Sequence, residues 1–179
     1  IRVLAANVLF RIPVVREMAL WTRCVDASRA NAETALQKGQ SIMVIPGGER
    51  EQLLTTFGRD EVFLSSRKGF VKLAVQSQAA LVPVFVFGAS DLYWTSHFCF
   101  AIRLWLVKAL KICITWHWGS LGPLFPRRIP VTAVFGAPLQ FNGDEDIEDA
   151  HDRYVEALRQ LHETHKHELG YGDRELIVH

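Results

Sequence analysis

The chain has 179 residues, 49% of them hydrophobic, and a formal net charge of +1. That length and composition suit one domain with one well-filled core, and the near-neutral charge excludes a global field that would draw nucleic acid or an acidic partner. The three cysteines, Cys24, Cys99 and Cys113, make neither an even disulfide framework nor a CxxC pair, which points to a reducing environment or buried thiols.

In chain order, residues 1–11 are apolar and read equally as strand or helix. Pro13 suits a first helical turn, and Val14, Met18 and Trp21 follow at helical spacing. An extended piece around Cys24-Val25 leads to Ser28, a helix N-cap, and the helix through Ala30, Ala35 and Leu36 stops at Gly39. Ser41 to Ile45 is an unbroken apolar run and is predicted to be a strand buried on both faces. Val62-Phe63-Leu64 reads as a short strand, Lys68 to Gln78 as a helix, and Leu81 to Phe87 as a second continuous apolar strand ended by Gly88.

Val131 to Phe135 is a late strand. The last helix carries Ile147, Ala150, Tyr154, Ala157-Leu158 and Leu161 on one stripe, with acids loading its start and Lys166 and His167 its end. Helices alternating with apolar strands predict an α/β fold with a mostly parallel mixed sheet flanked by helices.

Residues 97–116 stand apart. Phe98, Ile102, Trp105, Ala109, Cys113 and Trp116 share one helical sector, while Arg103, Lys108 and Lys111 lie roughly opposite among further apolar residues. A membrane span would carry these three cations at a cost of about 2.5–3.5 kcal/mol each near the bilayer centre. A helix lying in the membrane interface avoids that cost because the long cationic side chains reach the headgroups. A core helix with a few solvated charges is the other assignment.

The segment Pro46-Gly47-Gly48-Glu49-Arg50-Glu51 follows an apolar strand directly. Its two glycines let the backbone approach a ligand closely, and its acids are presented at the turn. Arg67-Lys68 opens a predicted helix, where backbone amides and cations together favour an anion such as phosphate. His162, His165 and His167 are not spaced as His-Glu-x-x-His, so they are expected to line a solvated helix end, with no metal.

Taken in order, several blocks carry a resemblance. They are Phe10-Arg11-Ile12-Pro13-Val14-Val15-Arg16-Glu17, Asp26-Ala27-Ser28-Arg29, Gly47-Gly48-Glu49-Arg50-Glu51, Arg67-Lys68-Gly69-Phe70-Val71-Lys72-Leu73-Ala74, Leu81-Val82-Pro83-Val84 through Phe87-Gly88, and Gly136-Ala137-Pro138. With the closing helix, the chain resembles the type-2 diacylglycerol acyltransferase family, which also holds monoacylglycerol and wax-alcohol acyltransferases. The resemblance implies a glycerolipid acyltransferase-like fold and transfer of a fatty acyl group from acyl-CoA, as co-substrate and without a further cofactor, to a neutral lipid acceptor. Diacylglycerol is the leading acceptor. Monoacylglycerol, a wax alcohol, or a catalytically dead lipid- or acyl-CoA-binding module are the alternatives. It also implies a membrane surface as partner, at the endoplasmic reticulum or the lipid droplet.

The family's His-Pro-His-Gly block, which supplies the general base, is not among the seven histidines of this sequence. A single acyltransferase domain over 1–179, truncated at its N-terminus and itself inactive, is the expected account. Ala89 stands where family members commonly have Glu. By resemblance, Gly47, Gly48 and Glu51 face the thioester or the acceptor, with Glu51 orienting a hydroxyl or the base. Arg29 matches a Ser-Arg pair suited to coenzyme A phosphates or a carbonyl, and Arg67 and Lys68 are further phosphate candidates. His117, in Trp116-His117-Trp118-Gly119, roughly matches a family His-Gly segment and is the remaining candidate base.

Overall fold

A computed structural model of the chain describes residues 1–96, 98, 102, 105, 116–123 and 125–179. Among the described residues the chain is a mixed α/β structure with five α-helices and several small sheets. Strand β1 (Arg2–Ala5) resolves the ambiguity of the opening run: it pairs in parallel with β2 (Cys24–Asp26) on one side and β3 (Ile42–Met43) on the other. Two helices make these parallel crossovers. Helix α1 (Pro13–Trp21) starts on Pro13 in its first turn. Helix α2 (Arg29–Gln37) is capped by Ser28, whose hydroxyl accepts from the Asn31 amide, and Gly39 beyond its end takes φ +67°.

The strand expected over Ser41 to Ile45, buried on both faces, is shorter and more open. Only Ile42–Met43 is strand, at the edge of its sheet, with Met43 48% and Ile45 59% exposed. An apolar run reports hydrophobicity but not how many neighbours a strand acquires, and β3 acquires one.

Helix α3 (Gly48–Leu54) follows the glycine pair, and β4 (Asp60–Val62) follows it. β4 pairs in parallel with β9 (Leu176–Val178), a C-terminal strand the sequence did not announce. The expected strand at Val62-Phe63-Leu64 therefore begins two residues earlier and ends at Val62. Helix α4 (Gly69–Gln76) buries Val71, Leu73, Ala74 and Val75.

Strand β5 (Val84–Phe87) runs antiparallel to β8 (Thr132–Phe135), with Leu81 and Leu139 bridging in the same sense beyond it. The continuous apolar strand expected from Leu81 is half-buried instead: Phe85 and Phe87 face the core and Val86 faces out. β6 (Trp94–Thr95) and β7 (His117–Trp118) also pair antiparallel. Among the described residues the single mostly parallel sheet is thus replaced by parallel and antiparallel pieces in four small sheets.

Helix α5 (Ile147–Lys166) has the predicted bounds, with the Asp146 carboxylate accepting from the Glu148 and Asp149 amides. Its stripe builds the core: Tyr154, Leu158 and Leu161 pack with Leu64, Phe85, Phe87 and Leu176, while Ala150 packs with Val71, Ala74, Val75 and Phe141. Each large apolar side chain so buried contributes about 1.5–3 kcal/mol. The predicted apolar basic helix at 97–116 lies mostly outside the described residues; Phe98, Ile102, Trp105 and Trp116, which are described, are exposed. No helix among the described residues is long and apolar enough to cross a membrane.

Candidate active site

The Gly-Gly turn and Glu51 form one unit. Gly48 takes φ +60°, the left-handed region open to glycine, and starts α3. One helical turn on, the Glu51 side chain folds back over Gly47. A Cβ built on Gly47 would overlap the Glu51 carboxylate and would lie 2.6 Å from Glu51 Cβ. The second glycine of the motif therefore serves conformation, and the first makes room for the acid.

Glu51 Oε2 accepts the Phe63 backbone N–H at 3.0 Å, which ties α3 to the end of β4. Burial pushes the Glu51 carboxyl above the ordinary carboxylate range, with the Phe63 hydrogen bond and the Arg67 charge opposing it. Across from it, Tyr154 of α5 is pushed up to about 12, first by burial and then by the Glu51 charge. Tyr154 therefore stays a neutral hydroxyl donor throughout the physiological range. Its ring meets Phe70 edge-on at 4.9 Å between centroids, so α4 and α5 fix its position. Tyr154 is absent from the sequence-derived site because its place on the α5 stripe reads as plain core.

Gly47, Gly48, Glu51 and Arg67 are therefore brought together. Lys68 sits next to Arg67 but is ion-paired with Glu148 in the first turn of α5. Arg29 is elsewhere: it bonds Glu33 Oε1 at 2.6 Å and Gln76 Oε1 at 2.5 Å. Gln76 closes α4 and Arg67 precedes its start, so at about 1.5 Å rise per residue the two arginines lie at opposite ends of that helix. His117 is in β7, where Nε2 donates to the Pro123 carbonyl at 3.0 Å and the ring meets Tyr93 edge-on at 4.7 Å.

The expectation that His162 lines a solvated helix end is overturned: it is 1% exposed. Its Nε2 donates to Asp60 Oδ2 at 2.9 Å, and its ring stacks on Phe87 at 5.2 Å. Asp60 Oδ1 in turn accepts from Arg174 Nη1 (3.2 Å) and from the Ser90 hydroxyl (3.4 Å), while Arg174 Nη2 donates to Asp91 Oδ1 at 2.9 Å. This buried network stitches β4, the turn after β5, α5 and the loop before β9. Each member pairs with residues far away along the chain, so no local spacing announces it. His165 donates through Nδ1 to the Leu161 carbonyl of its own helix, and His167 is exposed.

Cavities on the described surface include the following two. One of about 350 Å³ lies along Phe10, Arg11, Pro13, Val14, Arg16 and Glu17, away from Glu51. The other, about 340 Å³, lies over the Asp91–Arg174 pair.

The family model Diacylglycerol acyltransferase matches residues 1–179. The chain is 31% identical to Diacylglycerol O-acyltransferase 1 of Eremothecium gossypii, over 94% of this chain and 40% of that protein. It is 32% identical to Diacylglycerol O-acyltransferase 2 of Homo sapiens, over 97% and 49% respectively. Against Acyl-CoA wax alcohol acyltransferase 2 of Mus musculus the identity is 29%, over 98% and 58%. The chain thus spans about half the length of the curated relatives it matches. No solved structure matches. With the match running from end to end and including the Glu51 turn and the α4 block, the chain belongs to the diacylglycerol acyltransferase family.

Proposed function

We propose that the complete protein is an acyl-CoA-dependent O-acyltransferase that esterifies a neutral glyceride hydroxyl, with diacylglycerol as acceptor and triacylglycerol as product. The observation that carries this is the end-to-end family match, supported by the names of the relatives. The relative named as a wax alcohol acyltransferase favours a long-chain alcohol as the second acceptor to test.

In this mechanism the acceptor oxygen attacks the thioester carbonyl, the acceptor proton passes to a general base, and coenzyme A leaves as the thiol. No covalent acyl-enzyme is required. The half-buried Glu51 carboxylate holds the Gly47–Gly48 turn and orients the acceptor or the base, and the Arg67 guanidinium beside it supplies positive charge at the same place. Tyr154 offers a hydroxyl that does not ionise. If the complete protein carries the family's His-Pro-His-Gly segment, that segment is the leading base. His117 is the second candidate, and Lys68 and Arg29 are candidates for the donor's phosphates. The reaction takes place at a membrane surface of the endoplasmic reticulum or a lipid droplet.

The test is acyl transfer from labelled oleoyl-CoA by membranes carrying the complete gene product, with diacylglycerol, monoacylglycerol and fatty alcohol as acceptors. Labelled triacylglycerol from the wild type, lost in Glu51→Ala at equal expression, supports the reading. His117→Ala in the same assay decides between the two bases. A folded, membrane-bound protein that acylates none of the acceptors leaves a lipid- or acyl-CoA-binding module.

A further inference from the structure

The 340 Å³ cavity is lined by Arg127, Arg174, Asp91 and Tyr171 together with Phe57, Gly58, Ile129 and Pro130. Its size falls within the range of small-molecule sites, and its lining combines convergent polar groups with an apolar wall. Both guanidiniums are held by the same residue. Arg127 Nη1 donates to the Asp91 carbonyl at 3.0 Å, and Arg174 Nη2 donates to the Asp91 carboxylate at 2.9 Å.

Arg127 is fixed a second time by aromatic faces: its guanidinium lies 5.1 Å from the Phe57 ring centre and 4.7 Å from that of Trp94. Arg174 lies 4.7 Å over the Tyr171 ring. Gly88 allows the close packing that brings this turn in. At φ +83°, an added Cβ there would lie 2.5 Å from the Pro130 carbonyl and 2.8 Å from the Tyr171 hydroxyl.

Asp60, 5% exposed, is buried behind the cavity, whereas Asp91, 8% exposed, is part of its lining and holds Arg127 and Arg174, which remain partly accessible. An incoming group therefore meets guanidinium N–H donors and a phenol, with the Asp91 carboxylate in the lining engaged by Arg174. A guanidinium carries five N–H donors in a rigid fork, and Arg127 spends one in a side-chain hydrogen bond among the described residues. Pre-positioned arginine forks beside an apolar wall are the geometry that recognises a phosphate ester.

We infer that this cavity is a phosphate-recognition site that takes the phosphorylated end of the acyl donor. The identity of the donor rests on the proposed function above; the anion preference rests on Arg127, Arg174 and Tyr171 alone. The placement fits a donor whose phosphates lie a flexible arm away from its thioester. Phe57 in the cavity wall and Glu51 of the turn are six positions apart, a separation of at most about 22 Å even for extended chain.

Adenosine 3′,5′-bisphosphate and adenosine are the probes, titrated calorimetrically into the complete gene product in detergent. The wild type is expected to prefer the bisphosphate. Arg127→Gln, which keeps a donor for the Asp91 carbonyl, should lose about tenfold or more of that affinity with adenosine unchanged. A variant with the wild-type melting temperature and unchanged bisphosphate affinity overturns the site. So does a wild type that fails to discriminate.

Modification of wild-type arginines by phenylglyoxal, mapped by mass spectrometry, reads the same point without a variant. Bisphosphate should protect Arg127, and no protection at saturation overturns the assignment. Oleoyl transfer by the same preparation separates the two readings. Protection of Arg127 without transfer to any acceptor removes the acyltransferase reading and leaves the phosphate site. Transfer without protection does the reverse.

Discussion

The Glu51 carboxylate lies where a side chain on Gly47 would begin, so these two residues are a matched pair. Gly47 is buried and its φ of −64° is open to any residue; what requires glycine is the acid four positions on. The pair fixes the turn at the head of α3, and the Phe63 amide fixes the acid.

Gly47→Ala is expected to cost about 1–3 kcal/mol, the usual range for forcing a methyl into a filled space. Because the added carbon meets Glu51 Cβ as well as the carboxylate, α3 itself must shift. The cost should shrink in a Glu51→Gly background, and a double-mutant cycle in urea measures that coupling. Equal costs in both backgrounds would show that the two residues are independent.

Glu51→Gln keeps an oxygen for the Phe63 amide and removes the charge. Since the folded pKa is raised above its ordinary value of 4.5, the native state holds its proton more tightly than the unfolded chain. Wild-type stability from this group is therefore present at low pH and declines as pH rises through the folded pKa. The glutamine variant lacks that decline, so its melting temperature should gain on the wild type as pH rises above the ordinary glutamate range. A pH-independent difference between the two proteins would contradict the burial of the carboxylate.

The same substitution should lower the Tyr154 pKa from its value of about 12, because the Glu51 charge is one of its two causes. Ultraviolet difference titration of Glu51→Gln against the wild type, with Tyr154→Phe identifying the signal, reads the shift. Burial, the larger cause, remains, so the phenol should stay above the ordinary tyrosine value.

Asp60→Ala removes the acceptor shared by His162, Arg174 and Ser90. Leaving a buried donor without its acceptor costs about 1–3 kcal/mol, and here His162 loses its partner while Arg174 keeps Asp91. Denaturant unfolding should show a loss of that size. A loss below about 1 kcal/mol would mean that water replaces the carboxylate at Arg174.

Lys68→Gln separates a stabilising from a binding role. The Lys68–Glu148 pair is 38% and 64% exposed on its two side chains, and such surface pairs contribute about 0–1 kcal/mol. Stability should therefore hardly move, while the KM for oleoyl-CoA rises if the ammonium also meets the donor. An unchanged KM assigns Lys68 to the α4–α5 contact alone.

The sequence by itself determined the local elements. The α5 stripe, its acidic start, the Ser28 cap and the Pro13 helix start rest on interactions within one helical turn, so they are legible where they occur. The Gly-Gly turn and its acid were legible for the same reason, and so was the family. What only the tertiary structure decided is pairing over distance. Whether an apolar run such as Ile42 to Ile45 becomes an inner strand or an edge depends on its neighbours, and β4 finds its partner β9 at the other end of the chain. His162 and Asp60, 102 positions apart, are buried because each satisfies the other. A polar side chain enters a core only when its hydrogen-bonding partner arrives with it, and that partner is set by the fold.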